Sequence, residues 1–305
     1  MHPPVYEPSR RLRLAAGVGL VVAMVLAAGC GLQQAERRGP VAVTVTEDFG
    51  GAPLGAGTVA RPPLGATALD VVRRRFRVTG GSGAVEAIAG AAAAAGRRWF
   101  VYINGVAATP RARVHAGDRV WWDLHTSSVA PQAAVGSFPE PFLHGLGGKR
   151  LPVTLGCGSA VAAACRRVAT TLTRLGVPAA RQVLGAAAGQ DSLAVEVGTW
   201  SELRKEVVAT LLARGPGASG VFARFSGLAG RSLELLDARG GAVGVLGPTA
   251  GLIAAVTEHG TAPTWLVTGT DPAGVLAAAN ALARGSLQDH FALAVGGGRH
   301  LPVPR

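Results

Sequence analysis

The sequence predicts an α+β chain: a small N-terminal β domain carrying one helix, followed by an α/β domain with a mixed sheet. Three observations carry this. Residues 41–128 read at period two with a short helical insert, residues 151–305 alternate strands with helices, and residues 129–150 between them are rich in Pro and Gly. The 305 residues are 49% hydrophobic and 16% charged, enough apolar surface for a core in each domain and too much for overall disorder.

Residues 1–29 read as a lipoprotein signal peptide. Arg10, Arg11 and Arg13 form a positive end, and Leu14 to Ala28 is continuously apolar, the length of a signal-peptide core and short of a spanning helix. The segment Leu26-Ala27-Ala28-Gly29-Cys30 resembles a bacterial lipobox. That resemblance implies a diacylglycerol on the Cys30 thiol, cleavage just before it and further acylation of the palmitate kind, since one chain alone binds a membrane only marginally. Ser9 to Leu14 partly resembles a twin-arginine export motif, with Arg13 standing where that family has an aromatic. Residues 30–40 then form a polar tether, and the mature chain is expected outside the cytoplasm at the cell membrane.

This address sets the expectations for cysteine and charge. With Cys30 lipidated, Cys157 and Cys165 remain in an oxidising compartment, one at a strand end and one on the following helix, and a disulfide is expected. The rival is a metal pair, for which two thiols without neighbouring His or acidic residues make a poor zinc site. The net charge is +12, or +10 without the leader's three arginines and one glutamate. Outside a membrane the fitting counter-charge is anionic lipid or wall polymer. The arginine clusters are scattered, with no recognition helix or aromatic ladder among them, so no nucleic-acid partner is expected.

Within residues 41–128, Val41 to Thr46 alternates as a strand. Thr67 caps a short helix to Arg75 whose apolar face is Ala68, Leu69, Val71 and Val72. Trp99 to Val106 is a strand running into an Asn104-Gly105 hairpin turn, and Arg119 to Leu124 is a strand entered through a His115 to Asp118 turn. The segments Gly65 to Asp70, Trp99 to Gly105 and Gly117 to Asp123, in that order, resemble the bacterial domain of unknown function 4430. That family is related to the C-terminal β domain of transcobalamin and is similar in fold to β-grasp ligand-binding modules. The resemblance covers under a third of the chain. It implies a β-grasp-like sheet with one helix on an exported protein and implies no catalysis; no residue match licenses cobalamin.

Trp121 and Trp122 are adjacent on a strand and must face opposite sides. One is expected in the core, and for the other three alternatives stand: packed under the seam between domains, a lid, or an exposed ring that stacks a ligand or partner. In the connector, prolines enforce an extended path and Phe138 and Phe142 are anchors, so the segment reads as a belt across both domains. Glu140 and His144 lie there without a visible nucleophile.

From Leu151 the expected order is strand Leu151–Gly156, helix Ser159–Leu175, strand Leu193–Gly198 and a helix from the Thr199–Glu202 capping box to Arg214. Strands Gly220–Phe225, Leu233–Asp237 and Ala242–Leu246 follow. Then come helix Thr249–Glu258, strand Thr264–Val267, helix Pro272–Arg284 capped by Asp271, and strand Phe291–Val295, with Gly296 to Gly298 as a flexible tail.

Two strand-to-helix junctions, Gly247 to Gly251 and Thr268 to Asp271, offer helix N-termini for a carboxylate or phosphate if adjacent, with Thr268 and Thr270 as binding candidates. There is no P-loop, no Gly-x-Ser-x-Gly and no His-Glu-x-x-His. His115, His125, His144, His259, His290 and His300 are dispersed. No cofactor, metal set or catalytic residue is indicated. The expectation is therefore a membrane-anchored extracytoplasmic lipoprotein that binds a small-molecule ligand or an envelope protein at the groove near Trp121, Trp122, Phe138 and Phe142. The alternatives are a structural envelope protein whose groove its own side chains fill, and an enzyme sited at the two junctions.

Overall fold

The structure, a computed structural model, describes residues 39–81, 83–94, 96–126, 129–185, 191–258 and 262–305. The leader, Cys30, the tether up to residue 38 and His259 lie outside the described residues. The chain is α+β with mixed sheets.

The first sheet begins with β1 (Val41–Glu47) and β2 (Ala52–Val59), an antiparallel pair. Helix α1 (Ala68–Arg73) follows, with a reciprocal cap in which Thr67 accepts from Asp70 N while Asp70 accepts from Thr67 N. A small side sheet is made by β3 (Val78–Gly80), β4 (Val85–Ile88) and β5 (Ala91–Ala92). Strands β6 (Arg97–Ile103), β7 (Val106–Ala108) and β8 (Arg119–Thr126) complete the order β2-β1-β8-β6-β7, with β1 and β8 parallel and every other neighbour antiparallel. Asn104 and Gly105 both have positive φ at the β6–β7 turn, as the Asn-Gly pair predicts.

Because side chains alternate across a strand, this sheet has two apolar faces. Val41, Val43, Val45, Val101, Val120 and Trp122 pack beneath α1 on one. Tyr102 and Trp121 point from the other into a core shared with the C-terminal half.

The second sheet collects β9 (Val153–Cys157), β10 (Ala179–Val183) and β11 (Leu193–Thr199), with α2 (Ala162–Arg174) between β9 and β10. Short helices α3 (Trp200–Leu203), α4 (Val207–Ala213) and α5 (Pro216–Ser219) lead to a three-stranded meander of β12 (Ala223–Ser226), β13 (Ser232–Leu236) and β14 (Ala242–Leu246). Strands β15 (Gly251–Val256) and β16 (Thr264–Gly269), helices α6 (Pro272–Ala281) and α7 (Arg284–Leu287), and strands β17 (Ala292–Gly296) and β18 (Arg299–Val303) end the chain. The order is β10-β9-β11-β16-β15-β17-β18, parallel through β16 and antiparallel beyond it. Helices α2 and α6 cover one face, against Leu155, Val195, Ile253 and Leu293. The other face, with Leu252, Ala254, Leu266 and Ala294, meets α3, α4, the meander and the seam face of the first sheet.

Three expectations are corrected. Within Thr249–Glu258, expected as a helix, Gly251–Val256 form strand β15. All six strand residues are buried, and a strand covered on both faces reads as an unbroken apolar run, which its alanines disguised as helix. The helix expected from Thr199 to Arg214 is broken: α3 and α4 are separated by an extended Glu206, so that Trp200, Leu203, Ala209 and Leu212 all reach the same core. Gly296 to Gly298 is no tail, because Gly297 and Gly298 take positive φ in the hairpin joining β17 to β18. Of the alternatives open for the tryptophans, core and seam describe them: Trp122 is 0% exposed beneath α1, and Trp121 is 2% exposed in the core shared with the C-terminal half.

Candidate functional site

The seam is built from period two. On β8, Trp121, Asp123 and His125 share one face; Thr46 of β1 pairs with Asp123, and Tyr102 and Phe100 of β6 stand opposite Trp121 and Asp123. The β1–β2 turn lays Phe49 over this face, with Phe49 at φ 58° and Gly50 at φ 84°. Gly50 is required there, since a Cβ would lie 1.7 Å from the carbonyl oxygen of Asp289.

Asp123, fully buried, is the polar centre of the face. One carboxylate oxygen accepts from the Thr46 hydroxyl and from Gly50 N at 2.9 Å. The other accepts from Phe49 N at 3.1 Å and faces His125 Nδ1 at 2.6 Å. Trp121 Nε1 donates to the Thr46 oxygen at 2.7 Å, so tryptophan, threonine, aspartate and histidine form one chain of hydrogen bonds. The His125 imidazole is stacked between Phe49 at 4.2 Å and Phe100 at 4.0 Å, and its Nε2 is buried without a partner among the described residues.

Phe291, at the start of β17, is the hub from the C-terminal half. Its ring lies 4.7 Å from Trp121, 5.3 Å from Tyr102 and Phe49, and 5.5 Å from His125. Phe222 adds an edge contact to Phe49 at 5.1 Å. Tyr102 donates to Pro131 O at 3.1 Å, and burial pushes its phenol well above the ordinary range. The groove near Trp121 is thus filled by the chain's own aromatic side chains.

The segment 129–150 sutures the two sheets. Ala134 N donates to Gly105 O at 2.8 Å and Val135 N to Phe291 O at 3.2 Å. Phe138 and Phe142, both buried, pack against Trp265 of β16 at 5.8 and 5.0 Å. Glu140 holds His144 through its main-chain N at 2.9 Å and its Nδ1 at 2.6 Å, bracing the belt.

The two predicted junctions do meet, but they satisfy one another. Thr270 Oγ1 accepts from Ala250 N at 3.1 Å, and Asp271 accepts from Thr249 N at 3.0 Å while capping α6 at Gly274 N, 2.8 Å. Since Gly251 opens a strand, only the Asp271 junction is a helix start, and its cap is already occupied. Thr268 is fully buried with its Oγ1 unpartnered among the described residues.

Cys157 and Cys165 are joined by a disulfide that ties the end of β9 to α2, Cα to Cα 6.0 Å. Glu196 of β11 is not among the candidates that the sequence offers. It is 6% exposed, its carboxylate lies against Gly156, and burial with the nearby Glu206 carboxylate raises it to about 7. The period-two run Trp121-Asp123-His125 was the readable sign of the buried network, and a carboxylate inside the apolar run of β11 was the separate sign of Glu196.

Among the described residues, no cluster of three or more His, Cys, Asp or Glu is placed to hold a metal ion, and no helix is long and apolar enough to cross a membrane. No protein-family model matches the chain, and no curated protein matches it.

Proposed function

We propose that this chain is an exported lipoprotein, tethered to the membrane through Cys30, with a structural role at the envelope rather than one that encloses a small molecule. The packed seam carries this reading. Trp121, Trp122, Phe138 and Phe142, the residues a ligand groove would need, are each at most 2% exposed and each packed within one of the hydrophobic cores. A pre-formed small-molecule site is instead concave and open to its ligand. The disulfide supports an oxidising compartment.

The N-terminal half supports a β-grasp-like reading of the kind that the domain of unknown function 4430 implies. Its central parallel pair β1/β8 is flanked by antiparallel strands, and α1 covers one face. On this reading the belt and seam make the two halves one rigid body held at a fixed place near the bilayer.

The test is metabolic labelling with a fatty-acid analogue in cells producing the native chain or Cys30→Ser, with fractionation and thiol trapping. Label and membrane association that vanish in Cys30→Ser, together with a non-reactive Cys157/Cys165 pair, support the reading. An unlabelled native chain in the cytosol with both thiols free would overturn it.

A further inference from the structure

The α1 end of the N-terminal sheet concentrates cations. Arg73 and Arg74 project from the end of α1, with Arg77 just beyond it, and all three are exposed. At the other end of this six-residue helix, about 9 Å away, the 109–114 loop is stitched to α1: Ala68 N donates to Ala112 O at 2.9 Å and Val114 N to Ala66 O at 2.9 Å. That loop presents Arg111 and Arg113, also exposed. The acids in this neighbourhood are Asp70, whose carboxylate is engaged by Thr67, and Glu86 beside Gly80. Beside the arginines Leu64 is 57% exposed, and Leu64, Asp70, Arg73 and Arg74 line an open groove of about 460 Å³.

The same end receives the tether. Gly117 N, four residues beyond Arg113, donates to Pro40 O at 2.9 Å, and a Cβ on Gly39 would touch Ala116 at 2.8 Å. Ten residues from Cys30 to Pro40 reach at most about 35 Å, so an anchored chain keeps this end near the bilayer.

We infer that the α1 face, with Arg73, Arg74, Arg77, Arg111 and Arg113 around the exposed Leu64, is a docking surface for an anionic bilayer. The inference rests on the proposed tether for its orientation and on charge complementarity for its partner. The guanidinium groups meet lipid phosphates, and Leu64 enters the headgroup layer.

The experiment uses residues 39–305, which contain all three hydrophobic cores and lack the anchor, so acylation plays no part in the result. Partition is measured by co-sedimentation with vesicles of phosphatidylcholine alone or with about one-third phosphatidylglycerol. Selective binding to the anionic vesicles is expected, lost near 1 M salt where screening acts within about 3 Å. Each arginine near such a surface strengthens binding about fivefold. Arg73→Gln/Arg74→Gln/Arg77→Gln therefore lowers partition about 125-fold and Arg111→Gln/Arg113→Gln about 25-fold, whereas Arg166→Gln/Arg167→Gln on α2 changes it less than about twofold. Using two separate variants guards against the loss of the Arg73 hydrogen bond to Gly80 O in the first. Equal partition onto neutral vesicles, equal loss from the α2 pair, or capture of soluble polyphosphate without vesicle binding would each overturn the inference. None of these outcomes alters the Cys30 labelling result.

Discussion

Asp123→Asn removes the charge at the centre of the seam while keeping the side chain's shape. The carboxylate accepts from four groups: Thr46 Oγ1 and Gly50 N on one oxygen, Phe49 N and His125 Nδ1 on the other. An amide has one oxygen, so either orientation leaves one main-chain N–H, that of Gly50 or of Phe49, facing an NH₂ and forces the neighbouring Thr46 hydroxyl or His125 ring to turn its own O–H or N–H proton away to a site without an acceptor among the described residues. Each buried donor left unsatisfied costs about 1–3 kcal/mol, and the substitution should cost about 2–5 kcal/mol. That is a large share of the roughly 5–15 kcal/mol of a whole domain, and it should lower Tm by about 5–15 °C. His125→Phe makes the contrast. It keeps both ring stacks, gives up one bond to the Asp123 carboxylate and discards an Nε2 without a partner among the described residues, so it should cost about 1.5–3 kcal/mol, less than Asp123→Asn in the same measurement. Urea denaturation followed by tryptophan fluorescence reports both values. If Asp123→Asn stays within about 0.5 kcal/mol of the native chain, or His125→Phe costs more than it does, the carboxylate is not what organises the seam.

Glu196 has a folded pKa raised to about 7 from an ordinary value of 4.5, so the folded state holds its proton more tightly than the unfolded chain does. Its protonated form is fully compatible with the fold below about pH 4.5, and stability falls as pH rises from there through about 7, by about 3 kcal/mol in all. Glu196→Gln should therefore match the native chain at pH 4 and exceed it by about 3 kcal/mol at pH 8 in urea melts; equal stability at pH 8 would sink this account. Replacing both Cys157 and Cys165 by Ser opens a cross-link between residues eight apart. The expected loss is about 2–3 kcal/mol, and reductant should lower the native midpoint to that of the variant while leaving the variant's own midpoint unchanged. Thr67→Ala deletes the reciprocal cap of α1 and should cost about 1 kcal/mol, visible as faster amide exchange at Val71 and Val72; unchanged exchange there would count against the cap.

Local signals carried much of the architecture. The Thr67 capping box, the Asn104-Gly105 turn, the Asp271-Pro272 start of α6 and the alternation of β1, β6 and β8 are short-range devices, each complete within a few residues. The strand-end and helix placement of Cys157 and Cys165 likewise follows from neighbouring sequence. The site was less legible. Trp121 and Trp122 could be assigned to opposite faces, but what each face meets depends on residues far along the chain.

What the sequence determined by itself is the set of elements whose periodicity and caps are local, along with the mixed α and β composition. Tertiary structure decided the remainder. It made Gly251–Val256 a strand because layers on both faces bury it, and it made Gly297 and Gly298 a turn because β18 returns alongside β17. It also closed the expected groove, since Phe291, 170 residues beyond Trp121, inserts into the first sheet's seam face, where Asp123 and His125 are held by Thr46 and Phe49 from the other end of the domain. Burial and partner identity depend on contacts between distant segments, and no local pattern encodes them.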